Sequence, residues 1–131
     1  RGWEASVAWE PVDDLRASLA WAQARSEVTG NASAALIGRA VAGVPRAVWT
    51  AALDWAPALG WGGGITLREV GRYAVNPANT LFYDGFRTLD VALNFSGRAG
   101  GSRYRAYLRI DNALDEVHAT SVSVIGGQLT Y

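Results

Sequence analysis

Between Leu89 and Asp115 the chain reads LDVALNFSGRAGGSRYRAYLRIDNALD, two segments that alternate every second residue about a glycine-rich centre. Leu89, Val91, Leu93 and Phe95 stand against Asp90, Ala92, Asn94 and Ser96, and beyond the glycines Tyr104, Ala106, Leu108 and Ile110 stand against Arg103, Arg105, Tyr107 and Arg109. A period of two is the signature of β-strands, because successive side chains leave opposite faces. The hairpin therefore has one apolar face and one face carrying full charges. A half-buried soluble sheet satisfies that pattern. So does the wall of a membrane-spanning barrel, whose apolar face meets lipid and whose polar face meets the lumen.

The rest of the chain repeats the pattern. Trp3, Ala5, Val7 and Trp9 alternate with Glu4, Ser6, Ala8 and Glu10 up to a turn at Pro11-Val12-Asp13-Asp14, after which Leu15, Ala17, Leu19 and Trp21 resume the apolar face. This second strand is expected to continue to about Val28. From Pro45 a third strand sets Ala47, Trp49, Ala51, Leu53 and Trp55 on one side, and Ala56 to Gly60 makes a short turn. A fourth strand sets Trp61, Gly63, Ile65 and Leu67 opposite Gly62, Gly64, Thr66 and Arg68; its glycine run reads as a bend or a close backbone approach. Residues 29 to 44 and 73 to 85 read as long loops, the first despite the helix-forming Ala and Leu of Ala32 to Ala42. After Glu116 the pattern is lost through Gly126-Gly127. The fold class is all-β, an antiparallel up-and-down meander of about six strands forming part of a larger transmembrane β-barrel.

Short turns follow the first, third and fifth strands and long connections follow the others, the asymmetry of barrels with short periplasmic turns and long extracellular loops. The aromatics sharpen this. Trp9, Trp55, Trp61, Phe95 and Tyr104 all belong to the apolar face and all lie beside the short turns, as a membrane-interface girdle requires and a soluble core does not. Trp3, Trp21 and Trp49 sit about six residues further along, inside the apolar band. The pattern also predicts a register. Phe95 opposes Tyr104, Leu93 opposes Ala106, and on the polar side Asn94 meets Arg105 and Asp90 meets Arg109. In the neighbouring hairpin Trp55 faces Trp61 and Ala51 faces Ile65. The lumen-facing candidates are Asp90, Asn94, Arg105, Tyr107 and Arg109.

Chemistry is harder to find. The 131 residues contain no Cys, which removes thiolate ligands and cysteine nucleophiles, and the net charge of zero gives no footprint for nucleic acid. All twelve basic residues are Arg. His118 is the single histidine and reads as a loop residue. Asp111, Asn112 and Asp115 lack the central Gly and final Glu of a calcium loop and read as turn-makers. No catalytic residue, cofactor or metal site is expected. Without Met and starting in mid-strand, the chain reads as a piece of a longer protein.

Ile110-Asp111-Asn112-Ala113-Leu114-Asp115 resembles the (I/V)-(E/D)-N-L-(F/L)-D signature near the end of the barrel in TonB-dependent outer-membrane receptors, with Ala113 where the family usually has Leu. Val44-Pro45-Arg46, Asn76-Pro77-Ala78-Asn79-Thr80 and Gly85-Phe86-Arg87-Thr88-Leu89-Asp90 are similar to segments of the same family in the same order. The resemblance implies that residues 1–131 are a C-terminal portion of a plugged barrel of about 22 strands, without the plug domain and last strand. It further implies an outer-membrane location in a Gram-negative bacterium, contact with lipid, with an N-terminal plug and with TonB, and no enzymatic activity. The cargo would be an iron-siderophore, cobalamin or a similar small nutrient, held by loops such as Gly30 to Gly43 and Ala74 to Asp84. The alternative is a self-contained small β-barrel that turns its aromatic face inward around an apolar ligand.

Overall fold

A computed structural model describes residues 1–119, 122–125 and 128–130, with side chains described through Ala119 and at Val122. Six long strands form one antiparallel sheet: β1 (Gly2–Val12), β2 (Leu15–Ala24), β3 (Ala47–Trp55), β4 (Gly60–Val70), β7 (Phe86–Ala99) and β8 (Ser102–Ile110). They are hydrogen-bonded in chain order, an open up-and-down meander. Two small ribbons complete the described strands, β5 (Tyr73–Ala74) with β6 (Phe82–Tyr83), and β9 (Ser123–Ile125) with β10 (Gln128–Thr130). A single 3-10 turn, Ala34–Leu36, interrupts the first long loop. No helix among the described residues is long and apolar enough to cross a membrane, a statement that leaves strands aside. Gly126 and Gly127, where the sequence loses its pattern, lie outside the described residues.

Turn chemistry explains how the hairpins close. β1 passes into β2 through Asp13-Asp14, with Asp14 at φ 62°, a left-handed conformation that Asp tolerates. The register shifts between Trp9 and Val12, and Pro11 falls in that bulge on an edge strand, where its missing N–H costs no ladder bond. β7 and β8 are joined by Gly100 and Gly101, both with positive φ (54° and 82°), the two-residue turn that matches strand twist.

That turn corrects the expected register. Because both left-handed residues are the glycines, the hairpin centres one residue later, and Phe95 pairs with Ala106, Leu93 with Leu108 and Gly97 with Tyr104. Asn94 faces Tyr107 and Ser96 faces Arg105. In β3 and β4 the slip is also two residues: Trp55 pairs with Gly63, Leu53 with Ile65 and Ala51 with Leu67. The four-residue turn there is asymmetric, and β4 runs on below it to pair Gly60, Trp61 and Gly62 with β7. A slip of two leaves every side chain on its expected face. β2 ends at Ala24 rather than near Val28, because Val28 leaves the ladder to exchange backbone bonds with Gly38 and Arg39 inside the loop.

The resulting sheet has an uncovered apolar face. By register, Val7, Leu19, Trp21, Leu53, Trp55, Trp61, Ile65, Leu93, Leu108 and Ile110 share it, and all are exposed, with Trp3 at 76% and Trp61 at 62%. The buried apolar residues among those described are Val70, Ala74 and Tyr83, none on this face. Gly62, Ser96 and Val70 are the buried residues of the sheet and all belong to the charged face, so the sheet curls toward that side. A small barrel lined by aromatics needs the opposite curl.

The glycines of β4 permit this shape. A Cβ on Gly63 would lie 2.4 Å from the Ala92 carbonyl oxygen, one on Gly62 2.7 Å from that of Trp55, and one on Gly64 2.6 Å from Asp54 Oδ1. The close approach expected from the sequence is present on both sides of the strand.

Candidate functional site

The charged face, the aromatic row and the paired loops are the three places where this fold concentrates chemistry.

On the charged face β7 and β8 bring together all five polar residues picked from sequence. Asp90 is the centre: its Oδ1 accepts the backbone N–H of Asn112 at 2.9 Å and its Oδ2 accepts from Arg109 at 3.3 Å. Arg109 also donates to Asp111. The Asp90–Arg109 contact survives the register slip because the two residues are diagonal neighbours, still within reach of a long side chain. Arg105 donates from Nε to the Ser96 hydroxyl at 3.3 Å. Asn94 and Tyr107 are directly opposed, and Tyr107 is 83% exposed on the free edge strand.

The strand exit explains why Asp90 is fixed. Asn112 and Asp115 both have positive φ (52° and 53°), and Ala113 N–H bonds back to the Leu89 carbonyl at 2.6 Å. Asn112 closes the turn on itself, donating to the Glu116 carbonyl and accepting the Glu116 N–H. These residues make a turn with their side chains, which are occupied by the backbone. His118 stacks on Phe86 with ring centroids 4.5 Å apart.

On the apolar face, the aromatics beside the short turns form a contiguous row. Trp61 meets Phe95 edge-on at 5.0 Å and Phe95 meets Tyr104 at 6.2 Å. Trp55 Nε1 donates to the Trp61 carbonyl at 3.1 Å, which ties its polar atom while the indole stays on the surface. The Tyr104 ring lies over Gly97, where a Cβ would come within 2.3 Å of it. Trp9 belongs to the same face but stands at the β1 edge, 65% exposed and opposite Ala17. At the other end of the strands Trp21 pairs directly with Trp49. The next residue across the sheet is Glu69, ion-paired with Arg87, so the apolar face stops at that level. Neither residue stands out in the sequence, although both interrupt the apolar alternation of their strands.

Above the ion pair, the loop after β2 and the loop after β4 are clipped together. Asn79, itself at φ 53°, accepts the Ala40 N–H at 2.7 Å and donates to the Ala40 carbonyl at 2.9 Å. Gly43 N–H bonds to the Ala74 carbonyl at 2.8 Å. Asn76 organises its own turn, accepting from Thr80 and Leu81 N–H groups. Tyr73 packs against Tyr83 at 5.5 Å; burial, then the neighbouring phenol, raise its pKa above the ordinary 10.0. Between the loops lies a cavity of about 620 Å³. Arg25, Arg39, Arg46 and Arg72 line it with Glu27 as the one carboxylate. Sequence reasoning marked these loops but missed the arginines; Arg25, Arg46 and Arg72 stand beside strand ends, a positional signal, whereas Arg39 lies inside the first loop and has none.

Residues 1–113 match the family model described as "TonB dependent receptor-like, beta-barrel". Among solved structures, the chain is similar to BauA, the ferric preacinetobactin receptor from Acinetobacter baumannii, with a TM-score of 0.79 and 22% identity over 87% of this chain and 17% of that one. At that identity the likeness is one of fold, and the chain spans a small part of that receptor's length. No curated protein matches the sequence.

Proposed function

This chain belongs to the TonB-dependent receptor-like β-barrel family, and from that premise we propose that it is a wall segment of an outer-membrane transporter for a ferric chelate or similar small nutrient. Residues 1–131 are then a C-terminal part of the barrel, completed by further strands and by an N-terminal plug. The apolar face meets lipid. Asp90, Asn94, Arg105, Tyr107 and Arg109 face the lumen and the plug, while Trp9, Trp55, Trp61, Phe95 and Tyr104 mark the interface beside the short turns. Transport draws its energy from TonB, and the wall performs no covalent chemistry.

The observation that carries this reading is the uncovered apolar face spanning all six long strands. Monomeric soluble proteins seldom leave more than a few hundred Å² of contiguous apolar surface in water. Here Trp, Leu, Ile and Val from every long strand contribute to one surface. The long strands have 9 to 14 residues, enough to cross a hydrocarbon core at the usual tilt. Lipid satisfies that surface at no polar cost, because the ladder satisfies the backbone within it.

The test uses the full-length receptor reconstituted into vesicles of brominated phosphatidylcholine. Tryptophan emission is expected to be quenched, and cells carrying the receptor are expected to take up a ferric chelate only when TonB is present. Emission indifferent to brominated lipid overturns the wall assignment; uptake indifferent to TonB overturns the energy source.

A further inference from the structure

We propose that Trp49, Glu69 and Arg87 form a docking site for a phosphorylated sugar headgroup, that of a glycolipid in the leaflet at the long-loop end of the wall. The inference rests on the reading of the apolar face as lipid-facing, and it names one lipid that this face selects.

The first observation is placement. Among the paired residues of the apolar face, Glu69 and Arg87 are the two charged side chains. They oppose each other across β4 and β7, and the same row of the ladder continues through Trp49 and Trp21 to Ala5. The next row of that face toward the short turns is Val7, Leu19, Ala51, Leu67 and Leu89, with no polar side chain in it. The ion pair therefore stands one row outside an unbroken apolar band, where hydrocarbon gives way to headgroups. A charge on a lipid-facing surface is costly within hydrocarbon and is kept where polar groups can meet it.

The second is unused bonding capacity. Arg87 donates from both Nε and Nη2 to the same atom, Glu69 Oε2. Its Nη1 donors have no partner among the described residues, and neither has Glu69 Oε1. The Arg87 side chain is 57% exposed. The pair thus still offers a fork of donors to a phosphate and a carboxylate oxygen to a hydroxyl.

The third is the indole beside the pair. Trp49 directly opposes Glu69, which places the two side chains on one face at about 5 Å between Cβ atoms. A sugar ring presents C–H groups on its face, and their partial positive charge suits the negative face of an indole. A glycerol phosphate headgroup has no such face. From Trp49 to Arg87 the row crosses two strand spacings, about 10 Å, room for a sugar ring and its phosphate side by side. No other arginine of the paired strands shares this face: Arg16, Arg68, Arg98, Arg103, Arg105 and Arg109 all have the opposite parity.

The experiment is native mass spectrometry of the full-length receptor in a neutral detergent. It is titrated with an acylated, bisphosphorylated glucosamine disaccharide, with the same lipid lacking its phosphates, and with phosphatidylglycerol. The bisphosphorylated lipid is expected to bind most tightly. Arg87→Gln is expected to weaken it about tenfold, the equivalent of one charged hydrogen bond, and so to bring it to the level of the phosphate-free lipid. Arg87→Lys, which keeps the charge and loses the fork, is expected to fall between. Trp49→Leu is expected to weaken both glycolipids alike and to leave phosphatidylglycerol unchanged. Arg98→Gln, on the other face and at the other end of β7, is expected to change nothing. The heat of unfolding of each variant, expected to match that of the parent, separates lost binding from lost folding. Equal binding of the phosphate-free lipid, equal binding of phosphatidylglycerol, or an equal loss in Arg98→Gln overturns the site. Quenching by brominated phosphatidylcholine with no preference for the phosphorylated glycolipid sinks the docking site alone, whereas absence of quenching sinks the lipid-facing reading and the site with it.

Discussion

The two ends of this sheet solve opposite problems. At the short-turn end the chain reverses in as few as two residues, and the side chains nearest the turns are rings in mutual contact, Trp61 on Phe95 and Phe95 on Tyr104. At the long-loop end it takes more than twenty residues to travel from β2 to β3, and what holds it is polar: Asn79 on Ala40, Gly43 on Ala74, Glu69 on Arg87. On the proposed reading the first end suits a fixed depth in an apolar medium, where rings with polar edges are at home. The second suits water, where backbone groups need partners. One ladder connects them, so the wall keeps its shape while the two ends differ in chemistry.

The strongest way to break this contrast is to place a charge between the ends. Leu53→Arg, in the middle of the apolar face, is expected to cost about 2–4 kcal/mol in lipid, whereas Asn94→Arg on the charged face is expected to change little; urea unfolding in vesicles measures both. If the two cost the same, the faces are not what separates lipid from lumen. Next comes the curl between the ends. Gly63→Val puts atoms within 2.4 Å of the Ala92 carbonyl and is expected to lose about 1–3 kcal/mol by the same measurement.

The aromatic end is sharpened by a double-mutant cycle on Trp61 and Phe95, expected to give a coupling of about 1 kcal/mol. The loop end should respond differently. Asn79→Ala removes the two bonds to Ala40, worth about 1 kcal/mol each, together with the Nδ2 bonds to the Asn76 and Pro77 carbonyls, and the loss is expected to appear as faster hydrogen exchange at Ala40 with unchanged unfolding of the sheet. The smallest effect belongs to Tyr73. Its pKa in the folded loop stands above the ordinary 10.0, so the fold holds the phenolic proton more tightly than the unfolded chain does. The contribution to stability is complete at neutral pH and is lost as pH rises through the folded value; the protection factors of the β5–β6 ribbon, with base-catalysed intrinsic exchange divided out, are expected to fall only in that alkaline range.

Much of the wall was legible from the amino acids, for a physical reason. Alternation reports faces, and faces are what a medium selects, so all six long strands could be assigned an apolar side without any knowledge of pairing. Register was less legible. It depends on which residues of a turn take positive φ, and Gly97, Gly100 and Gly101 offered several choices; the structure uses the last two. The error was two residues rather than one, because one would have exchanged faces. The loops were the least legible. The small ribbon of Tyr73–Ala74 with Phe82–Tyr83, and the clip by which Asn79 holds a residue 39 positions away, are made by groups that carry no periodic signal. The arginine cavity inherits that obscurity, since it exists only once the loops are joined.

Asn79 grips Ala40 by its backbone N–H and carbonyl, never by its side chain. A clip of that kind is blind to residue identity on one partner. Substitutions at position 40 and among its neighbours can accumulate while the loop's course stays the same, provided that the loop keeps its length and Asn79 is kept. The side chains of this loop can therefore be exchanged, one at a time, on a frame that need not be reinvented.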